Sequence, residues 1–500
     1  MGNNFFKNTK NLLFYSVIFA LLTSIYSCNP INIILPSDKP LIIAAKTNNL
    51  SAIKSLIKNK VNIDDEDKDG NTALNIAIIN KNKEIIKFLI ESKANLKTRN
   101  INYDSPIILA LKNNDFETMK LLIDNDVEVD SKEINGNSLL HLACTLENKE
   151  IIGFLLDNGA DITLTNRKYI SAIELLNNPE IINFFIDKVS DKNLYPKLNY
   201  NYTVNFLIEK TNISIIEKFI NKVEKIEPKA IDINNAFISS IVNEKKESIE
   251  FFLNKGANIN TADSQGWTAL MVAIKRNNID IVNLLIKNNA NVNLYTNSYF
   301  TIEYENKDIP IEKASSALII SVMLNNFEIF KTLIEAGADP NLKDSEGHNA
   351  LAYTTTNFLK NNEKELKRYM AKTLIENGAL LNTEFKFRRD RWITGYSSYN
   401  QIDPNFKGES FFIFVINDLE FLELIAKKSP NIFDQAINSS GYTPLMFAIH
   451  FAHNIDILEF IIKQTKNINL VDNENKTALD HAIKSSKKEA IDLLKQYGAK

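Results

Sequence analysis

The sequence predicts an all-α fold, a solenoid of about thirteen helix-turn-helix units joined by short finger turns. Three observations carry that expectation. Lys39, Thr72, Ser105, Ser138 and Ser171 each precede an apolar first-helix run, and their constant spacing of about 33 residues marks stacked supersecondary units. In the following run, Ile85, Ile86, Leu89 and Ile90 share one helical face while Lys83, Glu84 and Lys87 stay on the wet side. Before both helices stands Asp69-Gly70, a turn that tolerates positive φ, with Thr72 placed to cap the helix that Ala73 and Leu74 begin. One such helix pair cannot bury its apolar face alone, so the units must stack.

Length therefore counts repeats, because a solenoid adds core unit by unit. The formal charge of −3 describes a mixed, solvated surface and argues against a phosphate-binding protein. Asparagine, lysine and isoleucine are abundant, a bias that fits an AT-rich coding sequence acting on a tolerant surface.

The N-terminal stretch up to Asp38 stands apart. Lys7 and Lys10 precede the apolar run from Leu12 to Tyr26, too short to span a bilayer and suited to a signal-peptide core, so residues 1–27 are expected to direct export. The run ends Ile25-Tyr26-Ser27-Cys28, which resembles a bacterial lipobox. Ser27 and Cys28 fit that pattern, whereas Ile25 and Tyr26 depart from its usual leucine and small residue. The resemblance implies lipidation of Cys28, with an ordinary secretory peptide or an uncleaved anchor as the other readings. Residues 28–38, with Pro30 and Pro36, form a short stiff tether. The remaining cysteine, Cys144, falls on a first-helix face and is expected to be a buried small hydrophobe.

Repeats run in phase over 39–176. The regularity weakens over 177–230, where Asn177-Asn178-Pro179 interrupts and finger turns are eroded, and phase returns for 231–500. First-helix starts are expected at 39, 72, 105, 138, 171, about 202, 235, 268, 316, 349, 410, 443 and 477. The motif Ser138-Leu139-Leu140-His141-Leu142-Ala143, closed by Asn158-Gly159-Ala160-Asp161, resembles the ankyrin repeat, as do Gly266-Trp267-Thr268-Ala269-Leu270 and Gly441-Tyr442-Thr443-Pro444-Leu445. The resemblance implies a protein-binding function and gives His141 a structural place, bonding backbone between repeats.

Two insertions lengthen finger positions. The first, 295–313, extends its repeat by nearly half a period and carries Tyr295, Tyr299, Phe300 and Tyr304 with four carboxylates against two lysines. The second, 383–407, carries Trp392, Tyr396 and other aromatics with Arg388, Arg389 and Arg391 among five cations against three carboxylates. Insertions on repeat proteins collect on one face, and aromatic and arginine side chains on exposed loops have hot-spot composition. Candidate partner contacts are therefore Trp267, Tyr299, Tyr304, Arg388, Arg389, Arg391, Trp392 and Tyr396. For each the other reading is packing against the stack.

Little in the sequence points to catalysis. His450 and His453, at i and i+3, could share a metal but show no third ligand nearby, and His348 and His481 gain no partner from sequence. No phosphate-cradling glycine loop or nucleophile elbow is present. The expectation is an exported, lipid-anchored, monomeric scaffold that binds a protein partner, meets the membrane through its anchor, and uses no cofactor, metal or nucleic acid. The alternatives are a soluble secreted effector acting on a host protein and, in another class, a metal-dependent enzyme.

Overall fold

The computed structural model describes residues 38–189, 199–304, 307–354, 364–381 and 411–500. The chain divides into two compact units, Met1–Ile231 and Asp232–Lys500. Both are built from antiparallel helix pairs in an all-α repeat solenoid.

In the first unit the sequence period is a period of helix caps. Lys39, Thr72, Ser105 and Ser138 are the N-cap residues of Pro40–Lys46, Ala73–Ile79, Pro106–Lys112 and Leu139–Thr145. Thr72 accepts from the Asn75 amide at 3.3 Å, satisfying one of the amides a helix start leaves bare. Ser171 caps only a short 3-10 turn, Ala172–Leu175, because Pro179 opens the next helix so soon afterwards. Each second helix hides one stripe. Lys83–Glu91 buries Ile85, Ile86, Leu89 and Ile90, each worth about 1.5–3 kcal/mol when fully withdrawn from water.

Asparagine has a structural use beyond any coding bias. Asn49, Asn82 and Asn148 cap second helices by accepting from the amides of Ala52, Ile85 and Ile151. Two of these side chains also reach the preceding repeat, Asn82 to Asn48 at 3.4 Å and Asn148 to Asn114 at 2.7 Å. A residue that both caps a helix and bonds its neighbouring repeat is useful once per unit.

Two expected helix starts shift by about one turn. The helices Tyr200–Lys210 and Ile233–Val242 are capped by Asn199 and Asp232, so 202 and 235 are interior positions rather than starts. Counting back by the period located sites that lack a cap; the Asn199 carboxamide and Asp232 carboxylate supply one earlier in each case. Lys222, between these helices in sequence, donates to the carbonyls of Ile186 and Val189, both at 2.7 Å, and closes the C-terminal end of Pro179–Lys188. Cys144 is buried as expected, and burial pushes its thiol pKa up, which makes it unreactive.

The second unit holds the one sheet among the described residues. Strand β1, Phe300–Tyr304, pairs antiparallel with β2, Lys307–Ile311, with Ile302 opposite Ile309. The hairpin sits between the bridge partners Tyr295 and Ser316, which stand where Glu66 and Thr72 close a short finger of the first unit. The inserted residues are the difference between those two loops. Ile302, Ile309 and Ile311 are buried, so one face of the inserted hairpin belongs to the core.

Candidate protein-interaction surface

In the first unit three finger tips are tight turns organised by one Asx side chain each, while at the fourth Glu133 accepts from the Asn135 and Asn137 side chains instead. Asp67 Oδ1 accepts from the amides of Asp69 and Asn71, Asn100 Oδ1 from Asn102 and Asp104, and Asn166 Oδ1 from Lys168 and Ile170. These bonds of 2.8–3.1 Å order the tip during folding. Any partner meets a tip already in place.

The fourth residue of each tip has positive φ. It is glycine at Gly70 and Gly136, with φ of 74° and 80°, but tyrosine at Tyr103 and Tyr169, both with φ of 61°. Glycine has a reason to be where it is: a Cβ on Gly70 would lie 3.1 Å from the Ile101 amide, and one on Gly136 would lie 3.2 Å from the Arg167 amide. That close approach lets Ile101 donate to the Asp69 carbonyl and Arg167 to the Asn135 carbonyl. Asn100 and Asn166 reinforce the same two junctions by donating to Asn71 and Asn137. Tyr103 carries the Cβ that prevents such an approach, and among the described residues no backbone bond joins its tip to the next. Arg99 spans that junction instead, its Nη1 donating to the carbonyls of Tyr103 at 3.0 Å and Lys132 at 2.9 Å.

A tyrosine in left-handed backbone costs about 1–2 kcal/mol relative to ordinary conformations, and neither ring recovers that by burial. Tyr103 is 57% exposed and Tyr169 86%, beside Ile101 at 63% and Ile134 at 41%. Three consecutive tips thus present large apolar side chains to solvent. Arg99, Arg167 and Lys168 are exposed among them.

The candidates singled out from sequence distribute differently. Trp267 is 1% exposed, so it is a core residue and not a partner contact; its ring lies under Lys275 Nζ at 5.5 Å from the centroid. Periodicity marks it as a finger residue, yet its large apolar ring is turned into the repeat. Tyr299 is 46% exposed just before β1, and Tyr304 ends β1 opposite Lys307. Arg388, Arg389, Arg391, Trp392, Tyr396 and Cys28 lie outside the described residues.

His348, His450 and His481 are partnered in ways the sequence did not suggest, and His141 in the way it did. His141 has the interrepeat role expected of it: Nδ1 receives the Ser138 amide at 3.3 Å and hydroxyl at 2.8 Å, and Nε2 donates to the Ile170 carbonyl at 3.0 Å. An amide can only donate and a carbonyl only accept, so the ring is the neutral Nε2–H form. Burial first, then the Lys132 charge, hold its pKa below the usual value, opposed by the Ile170 bond. His450 does not share a ligand with His453. It meets His481 at 3.2 Å, and His481 contacts buried Asp472 at 2.9 Å. His348 stands 3.7 Å from Asp344, whose carboxylate also takes the Tyr353 hydroxyl. Among the described residues no cluster of three or more potential ligands converges on a metal position.

Family models decide what this scaffold is: the ankyrin-repeat model matches residues 13–100, 93–166, 197–296 and 411–500, and a single-repeat model matches 315–345. The chain belongs to the ankyrin-repeat family. No curated protein matches it. Ankyrin repeats are protein-interaction modules, and here Ile101, Tyr103, Ile134 and Tyr169 are exposed on the ankyrin fingers of 99–103, 132–136 and 165–169. The tyrosines escaped sequence analysis although their signal was present. Tyr103 lies one period after Gly70, and Tyr169 one period after Gly136, so aromatic residues occupy the period's glycine position.

Proposed function

We propose that this ankyrin-repeat protein is an exported, monomeric, non-catalytic scaffold, held at a membrane by a lipid on Cys28, that binds another protein through its fingers. The observation that carries the binding role is the set of exposed apolar side chains on preordered tips, since surface that is rigid before contact loses little entropy on binding. Export and anchoring rest on the basic and apolar character of residues 7–26 and on Ser27-Cys28. Among the described residues no helix is long and apolar enough to cross a membrane. On this reading the repeats face the periplasm or the cell surface, and the insertion at 383–407, rich in arginine and aromatic side chains, adds to the contact surface.

Crosslinking in the native cell followed by mass spectrometry tests the binding role. The expected result is one reproducible protein partner, with crosslinks on the fingers; recovery of no specific partner overturns it. Metabolic labelling with palmitate tests the anchor: label on the intact chain and none on Cys28→Ser supports it, whereas an unlabelled, freely released protein favours the soluble secreted effector.

A further inference from the structure

The three apolar finger tips of the first unit share a second property, charge. Across 99–103, 132–136 and 165–169 the cations are Arg99, Lys132, Arg167 and Lys168, and the one carboxylate is Glu133. Glu133 is buried and its two oxygens accept from Asn135 at 3.2 Å and Asn137 at 2.7 Å, so its charge is turned inward. A neighbouring carboxylate, Asp104, is buried and held by Lys112 at 2.7 Å. The outer surface of these tips is therefore basic on a chain whose formal charge is −3. Local charge opposite to the whole steers a partner of matching sign to one place.

Resting on the scaffold reading, we propose that these tips bind an acidic protein segment carrying apolar side chains. Tyr103, Ile134 and Tyr169 take its apolar groups, and Arg167 and Lys168 take its carboxylates. Tyrosine suits the task because a large ring fixed by two torsions loses little freedom on contact. Arg99 has a further part: by tying the Tyr103 tip to the Lys132 tip it holds the two in register, where a glycine-mediated junction would have excluded the ring. The left-handed φ of both tyrosines marks positions where backbone conformation alone favours glycine, and rings exposed to this degree return little to the fold.

The test is selection of random short peptides on the full chain, followed by affinity measurement of the enriched peptides on variants. Enriched sequences are expected to be acidic and apolar. Tyr103→Gly combined with Tyr169→Gly is expected to weaken them at least tenfold while leaving the melting temperature unchanged or raised, since glycine is at ease at that φ. Arg167→Glu with Lys168→Glu, two exposed changes, is expected to do the same and to remove the salt dependence of binding. Neutral or basic enriched peptides, no enrichment, or a loss under tenfold in both variants overturns the proposal. So does tight binding of a short single-stranded DNA that the tyrosine variants abolish, which would assign the tips to nucleic acid. A cellular partner crosslinked only to another face removes this site and leaves the scaffold role standing.

Discussion

The short tips of the first unit and the long hairpin finger of the second invert the simplest expectation about insertions. The hairpin is the longer excursion and on length alone the better-offered surface, yet Ile302, Ile309 and Ile311 are buried. The short tips, with no length to spare, leave Ile101, Tyr103 and Tyr169 in water. A hairpin alternates faces along each strand and can turn one of them inward. Insert length alone does not decide exposure, since Trp267, on a tip as short as those of the first unit and stitched by Asp263 in the same way, is buried. The better sign of a contact is a large side chain that the neighbouring repeats leave in water.

The sharpest way to break this comparison is to cut the same side chain from both places. Ile309→Ala is expected to destabilise the second unit by about 2–5 kcal/mol, as core isoleucine truncations do. Ile101→Ala should move the first unit by no more than about 0.5 kcal/mol, the range of surface changes. Urea denaturation of each variant reads both numbers, and equal losses would show that the tip is as structural as the hairpin.

A smaller effect separates the tips among themselves. Gly136→Ala should cost about 1–2 kcal/mol, because alanine must adopt a left-handed φ with its Cβ 3.2 Å from the Arg167 backbone. Tyr103→Gly should shift stability by within about 1 kcal/mol in the stabilising direction. A destabilising Tyr103→Gly would mean that the ring supports the fold.

The smallest effect is titration, followed at one group in each unit. Burial keeps His141 neutral in the fold, while in the unfolded chain it takes a proton below about pH 6.5. Its contribution is therefore complete above that value and declines as pH falls below it, because the unfolded state then binds more protons. In the second unit burial alone would raise the Asp472 pKa, but the amides of Lys476 and Glu474 and the His481 ring bring it below the usual value. What Asp472 contributes is present above about pH 3.9 and is lost only as pH falls through its lowered pKa. Thermal melts at about pH 7.5 and about pH 5.5, either side of the histidine range, are expected to show the first unit softening, and His141→Gln should remove part of that slope. A pH-independent first transition would remove the buried neutral histidine from the account.

The repeat architecture was legible because caps and apolar stripes obey local rules. Thr72, Ser105 and Ser138 announce helix starts, and the structure puts each at an N-cap position, although only the Thr72 hydroxyl makes the cap bond to a helix amide. Ser138 bonds the His141 ring instead, and Ser105 makes no side-chain cap bond. The starts near 202 and 235 were misplaced where arithmetic replaced chemistry, since Asn199 and Asp232 were visible caps just upstream. His481 and His450 belong to different repeats, and nothing in a one-dimensional chain brings those two rings to 3.2 Å.

By itself the sequence determined the period, the helix pair, the ankyrin identity and the burial of Cys144, because each depends on contacts within a repeat or on a rule repeated in every copy. Only the tertiary structure decided which finger residues face water: that Trp267 turns inward, that the hairpin isoleucines are covered, and that Tyr103 and Tyr169 are not. Exposure depends on what neighbouring repeats leave uncovered, and a bulky side chain reads identically in sequence whether the next repeat closes over it or stands away.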